Sequence, residues 1–166
     1  LARGDCDVVA MTALDYLADL AKCLLSPVAT DTGYCGFEDA MERWVTHVAH
    51  TRMTHGVVHL IGNGGSASVV AHAHNDLVKA CGLRAMVYQD VPLLTAYAND
   101  HGYTQGYSDA LSIWLDERDV LIAVSSSGAS PNILTAATVA KQIGAVVVTC
   151  SGFKVDNPLR QIGHLN

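Results

Sequence analysis

Two periods of hydrophobicity divide this chain. Over residues 7–25, Val8, Met11, Leu14, Leu17, Leu20, Ala21 and Leu24 recur near the helical repeat, which predicts an amphipathic helix facing a core or another subunit. Residues 26–37 are rich in turn formers and read as a loop. Residues 38–53 read as a second helix with Met41, Trp44, Val45 and Val48 on one side. Beyond that point short apolar runs at 57–61, 84–88, 120–124 and 145–149 predict strands, and helical segments at 66–81, 91–97, 103–115 and 131–143 follow them in turn. The run 120–124, Val-Leu-Ile-Ala-Val, is uninterrupted, as a parallel strand covered on both faces should be. Strand and helix in alternation predict an α/β fold with right-handed crossovers.

Length and charge narrow the picture. A chain of 166 residues is one domain, with residues 1–55 expected as N-terminal helices and 56–166 as an α/β core. Because it opens on Leu1 and a new apolar segment begins near its end, we expect the native polypeptide to continue into a further strand and helix. The net charge of −6 and a pI near 5.6 argue against nucleic acid as the natural partner. Five cysteines without a CxxC pair read as thiols in a reducing cytoplasm. Neither a membrane-length apolar run nor a signal-peptide pattern is present, so a cytoplasmic location and no membrane partner are expected.

Candidate chemistry gathers in two loops. Gly62-Asn63-Gly64-Gly65-Ser66 follows the first predicted strand, and its glycines permit backbone amides to wrap an oxyanion, with Ser66 placed as a helix N-cap. Ser125-Ser126-Ser127-Gly128-Ala129-Ser130 follows the third strand, with Ser130 as N-cap and Pro131 opening the helix. In a doubly wound sheet of order 2-1-3-4-5 those strands are neighbours at the topological switch point, so both loops would meet over one crevice. Hydroxyls and two helix N-termini there suit a phosphate.

Duller readings exist for each piece. Serines before helices commonly serve only as caps. Gly62-x-Gly64-x-x-Ala67 also matches a dinucleotide fingerprint, with Asp90 available as its acidic residue, although such a site does not require the serine loop. A P-loop is excluded, since no Lys-Ser or Lys-Thr follows the glycines. Four residues apart on one helix face, His72 and Asp76 suit zinc binding or proton transfer, whereas His74 faces elsewhere. Asp100 would border the crevice from a turn at 99–103, and His55, His59 and His101 carry no assigned role.

The segments Gly-Asn-Gly-Gly-Ser-Ala at 62–67, Ala-Asn-Asp-His-Gly-Tyr at 98–103 and Asp-Val-Leu-Ile-Ala-Val-Ser-Ser-Ser-Gly-Ala-Ser-Pro-Asn at 119–132 resemble the sugar isomerase (SIS) domain, and within it the phosphoheptose isomerase family. The resemblance implies a flavodoxin-like doubly wound parallel sheet with N-terminal helices. It also implies a homotetramer and conversion of sedoheptulose 7-phosphate to D-glycero-D-manno-heptose 7-phosphate, with one zinc ion per subunit. By motif, Asn63, Gly64, Gly65, Asn99 and Asp100 would contact substrate. Ser125, Ser126, Ser127 and Ser130 would hold the phosphate with Ser66 nearby, and His72 would ligate the metal. Asp76 stands where the family has a glutamate that is metal ligand and catalytic base, on a stem one methylene shorter. The family's further glutamine and histidine come from a C-terminal helix beyond Asn166. The alternative is a non-catalytic SIS domain that binds a sugar phosphate and acts through a protein partner. A third reading, a nucleotide-dependent enzyme, predicts saturable NAD binding.

Overall fold

The computed structural model describes residues 12–166, so Cys6 and the 7–11 portion of the expected first helix lie outside them. The helix itself, α1 (Ala13–Leu24), begins later than expected because Thr12 caps it. The Thr12 hydroxyl accepts from the Asp15 amide while the Asp15 carboxylate accepts from the Thr12 amide. Its Leu14, Leu17 and Leu20 are exposed and do not join the core. The expected loop 26–37 contains a small antiparallel hairpin, β1 (Val28–Thr30) and β2 (Gly33–Cys35), whose three-residue strands are too short to show a period.

Helix α2 (Phe37–Met53) buries Ala40 and Thr51 and packs Trp44 against the core. Met41 and Val45 point outward, so the inward stripe lies beside the expected one. Then follow β3 (Val58–Gly62), α3 (Gly65–Lys79), β4 (Ala85–Val87), α4 (Val91–Asp100), α5 (Gly106–Trp114), β5 (Val120–Ser125), α6 (Pro131–Ile143) and β6 (Val146–Ser151). A 3-10 turn over Pro158–Gln161 interrupts what reads as plain loop. These strands form one parallel sheet in the order β4-β3-β5-β6, the expected 2-1-3-4 arrangement.

Alternate strand residues feed two cores. Val58, Leu60, Val120, Ile122 and Val148 pack with Val70 and Leu77 of α3, whereas Ile61, Leu121, Ala123 and Val147 pack under α5 and α6. Full burial of β3 explains why it reads as a short apolar run broken only by His59. Leu165 bridges both Val148, in parallel, and Thr30, so the chain end joins the hairpin to the sheet.

One polar group interrupts the second core. His59, 1% exposed in mid-β3, lies with Nε2 3.1 Å from Asp119 Oδ2 and Nδ1 2.6 Å from the Tyr88 hydroxyl. A carboxylate only accepts, so Nε2–H donates to Asp119 and Nδ1 accepts from Tyr88. Asp119 also accepts from the Val57 and Asp116 amides, each at 2.7 Å, and thereby pins the start of β3 to the start of β5.

Burial holds the His59 pKa below its ordinary value near 6.5, against the opposing pull of Asp119. The unfolded chain then binds the proton more readily, so this contribution is present above about pH 6.5 and is lost as pH falls below it. Melting temperatures should therefore drop between pH 7 and 5, and His59→Gln should make that slope shallower, with His47 and His164, also lowered by burial, supplying the remainder. Asp119→Ala should cost about 3 kcal/mol or more in chemical denaturation, because three donors lose a buried acceptor.

Candidate functional site

Both polar loops leave the carboxyl ends of adjacent strands. Gly62 pairs with Val124 in the β3–β5 register, and the helices that follow, α3 and α6, pack on opposite faces of the sheet. A crevice opens between them, where ligands bind in sheets of this winding. Gly62 is there for space: a Cβ would come within 2.8 Å of the Ser66 backbone. Gly64, at φ +53, turns the chain into α3 and is itself the N-cap residue. Ser66, the expected cap, consequently lies inside the first turn of α3, two positions past the actual cap, because the left-handed turn at Gly64 starts the helix early.

A feature separates α3 and α6 from the other described helices. Their first turns carry neither a side-chain cap nor an acidic residue. By contrast α1 and α4 are capped by Thr12 and Asp90, while α2 and α5 place Glu38, Asp39 or Asp109 in the first turn. Uncapped N–H groups and an uncompensated positive dipole end are what an anion would complete. Two such ends open beside one crevice.

The serine loop is held from behind. Ser130 is the N-cap residue of α6, but its hydroxyl accepts from Ser125 at 3.3 Å and makes no cap bond. Ser127 Oγ accepts from the Ala129 amide, Ser125 is buried, and the remaining serine hydroxyls line the loop. Gly128 sits at φ +60 against Asn157, onto whose side chain a Cβ would fall. Asn157, 4% exposed, donates to Ser151 Oγ at 3.0 Å and to the Lys154 carbonyl at 2.8 Å, so the loop after β6 braces the loop after β5.

The glycine loop is braced by residues that motif reading passes over. Tyr107 donates to the Gly62 carbonyl at 2.8 Å, and burial pushes its hydroxyl up to about 12, so it remains a donor. Asn63 and Asn132 exchange two carboxamide hydrogen bonds, each 2.9 Å, and Tyr103 donates to Asn63 Oδ1 at 3.0 Å. Asn132 stands in the quoted 119–132 segment, so its place was visible although its partner was not.

Other candidate residues lie farther out. His72 and Asp76 are exposed on α3, with Nε2 and Oδ2 3.5 Å apart, and His72 stands about 10 Å along the helix from Gly65. Among the described residues neither hydrogen-bonds to either loop. Asn99 and Asp100 fall in the last turn of α4, which runs two residues into the stretch expected as a turn, and Asn99 donates to Asp100 at 2.8 Å. Asp90, the residue a dinucleotide would need, is occupied as the α4 cap.

For zinc, His72 and Asp76 are donors of the right type on one face, yet two fall short of the usual four. No cluster of three or more His, Cys, Asp or Glu able to hold a metal occurs among the described residues. No helix among them is long and apolar enough to cross a membrane. A cavity of about 830 Å³ lies elsewhere, between the hairpin and the loop after β6, lined by Pro27, Tyr34, Phe153 and Arg160. Volume alone does not mark the site.

Known proteins carry the same plan. The SIS domain family's sequence profile matches residues 35–152. A phosphoheptose isomerase of Burkholderia pseudomallei (strain K96243) is 42% identical over 104 residues, 59% of this chain and 51% of its own length. The phosphoheptose isomerase of Helicobacter pylori (strain ATCC 700392 / 26695) is 32% identical over 123 residues, 70% of this chain and 64% of its own. The chain thus spans about half the length of the first and under two thirds of the second. In fold, the phosphoheptose isomerase of Neisseria gonorrhoeae superposes with a TM-score of 0.70 at 23% identity, covering 87% of this chain and 72% of that one.

Gly128→Ala should lower the melting temperature, with at least about 1 kcal/mol from the left-handed backbone alone. It should also weaken inorganic phosphate binding, read by ³¹P line broadening, by tenfold or more. A variant that melts lower but binds phosphate normally would show that Gly128 serves folding only.

Proposed function

The chain belongs to the SIS domain family, and from that premise we propose that it is a phosphosugar isomerase, converting sedoheptulose 7-phosphate to D-glycero-D-manno-heptose 7-phosphate through an enediol. The observation that carries this reading is the crevice between two uncapped helix N-termini, with a carboxylate and imidazole pair farther along the helix that leaves it. The names of the matched relatives agree with it.

In this reading the phosphate sits between the serine loop and the first turn of α3. Ser126, Ser127 and Ser130 offer hydroxyls, Ser125 supports Ser130, and Gly64, Gly65 and Ser66 bring backbone amides close. Asn63 meets the sugar, and Asn99 and Asp100 take hydroxyls from the α4 side. Anchoring the phosphate at one end leaves the carbonyl end to reach along α3 toward Asp76. There the carboxylate removes the proton beside the carbonyl and the same proton, or one from His72, returns to the neighbouring carbon. With the hydroxyl proton of the deprotonated carbon passing to the former carbonyl oxygen, the two steps through the enediol move a hydrogen from one carbon to the next with no net oxidation.

Zinc enters this proposal with His72 and Asp76 as two of its ligands and the others supplied from outside the described residues. When bound it would polarise the substrate carbonyl and stabilise the developing oxyanion. The exposed Leu14, Leu17 and Leu20 of α1 suit a subunit contact, which supports an assembly such as a homotetramer. A cytoplasmic enzyme acting on a small sugar phosphate completes the proposal. Nothing in the site favours a purely regulatory binding module.

Incubation with sedoheptulose 7-phosphate and zinc in D₂O should give the aldose with deuterium at the exchanged carbon, read by NMR. Binding of the sugar phosphate without product would instead favour the regulatory module. Asp76→Asn should lower turnover by about a hundredfold or more while sugar phosphate still binds, and loss of both together would contradict the role given to Asp76.

A further inference from the structure

Asn132 is the second residue of α6, is 3% exposed, and spends both of its side-chain hydrogen bonds on one residue 69 positions earlier. Its Nδ2 donates to Asn63 Oδ1 and its Oδ1 accepts from Asn63 Nδ2, each at 2.9 Å. A carboxamide has two N–H donors and two acceptor lone pairs. Asn63 Oδ1 takes a second bond from the Tyr103 hydroxyl at 3.0 Å, which fills its acceptor capacity. What Asn63 has left is one N–H, on a residue only half-buried at the crevice.

We propose that Asn132 is a positioning residue that, with Tyr103, holds the plane of the Asn63 carboxamide at the crevice, where its remaining N–H meets the sugar. This inference rests on the isomerase reading for its chemical consequence. Enediol formation places negative charge on the former carbonyl oxygen. A fixed N–H aimed at that oxygen strengthens as charge develops, whereas a carboxamide oxygen there would repel it. A free asparagine side chain would rotate about its Cβ–Cγ bond. Reciprocal pairing with a buried partner fixes the plane of the carboxamide before substrate arrives. The pairing also explains why a polar residue is buried at the start of α6 without capping it.

The test compares Asn132→Leu with the unaltered chain. The leucine is similar in size, uncharged and makes neither hydrogen bond, so the Asn63 carboxamide is held by Tyr103 alone. Turnover of sedoheptulose 7-phosphate should fall by about 10²-fold, as when an oxyanion donor is removed, while KM moves less than threefold because the phosphate is held by the serine loop. Tyr103→Phe should give a smaller fall, since the Asn132 pair persists. A role in folding alone would lower the melting temperature and leave kcat per folded molecule unchanged, and that result overturns the proposal.

A second readout does not depend on turnover. In ¹⁵N–¹H spectra, adding sedoheptulose 7-phosphate should shift the Asn63 side-chain proton that is not bonded to Asn132 more than the one that is. If the unaltered chain turns over no heptose phosphate, the isomerase reading fails while this shift still decides the positioning role. Equal shifts of both protons, or no shift on ligand binding, would overturn it.

Discussion

Everything at this site depends on β3 and β5 lying side by side and being clamped at both ends. At the amino-terminal end Asp119 accepts the Val57 amide and the buried His59 imidazole, so the two strands start in register. At the carboxyl end Asn63 and Asn132 interlock across the gap that the strands open. Between these clamps the hydrophobic alternation of both strands fills two cores, and the helices that follow must diverge to opposite faces. The crevice is the space their divergence leaves. Its polarity follows from backbone that nothing else satisfies: α3 and α6 are the described helices whose first turns have neither cap nor acidic residue.

In the proposed reading this arrangement holds a phosphate without an arginine or lysine in either loop. Amides, hydroxyls and helix ends supply the charge complement, which is compatible with an acidic protein binding an anionic sugar. Charge located in the backbone is positioned by the fold itself, so the bracing residues behind the loops matter as much as those facing the ligand. Asn157 behind Gly128 and Tyr107 behind Gly62 are such residues.

Much of the fold was legible because its signals are local. The continuous apolar run of β5, the Ser130-Pro131 start and the αL glycine Gly144 that ends α6 are written within a few residues of each other. The hairpin was not, since three-residue strands set no period, and neither was the α4 end, where Asn99 and Asp100 continue a helix that their turn-forming character argues against. Of the site, the two loops were legible and their closeness followed from strand order. The cross-loop partners were not: nothing near Asn132 or Tyr103 in the chain indicates that Asn63 will meet them. His59 carries no assigned role in the sequence for the same reason, since its partners Tyr88 and Asp119 come from other strands' ends. Asp76 and His72 were legible as a pair, and their exposure shows that the described residues leave that face of α3 open.

The central claim is that both loops hold one phosphate. The most direct measurement is a backbone ¹⁵N–¹H titration with sedoheptulose 7-phosphate. The account predicts that the amides of Gly64, Gly65 and Ser66 shift together with those of Ser126 to Ser130, along one saturation curve and with one Kd. Shifts confined to a single loop, or centred on the cavity around Phe153 and Arg160, would contradict it.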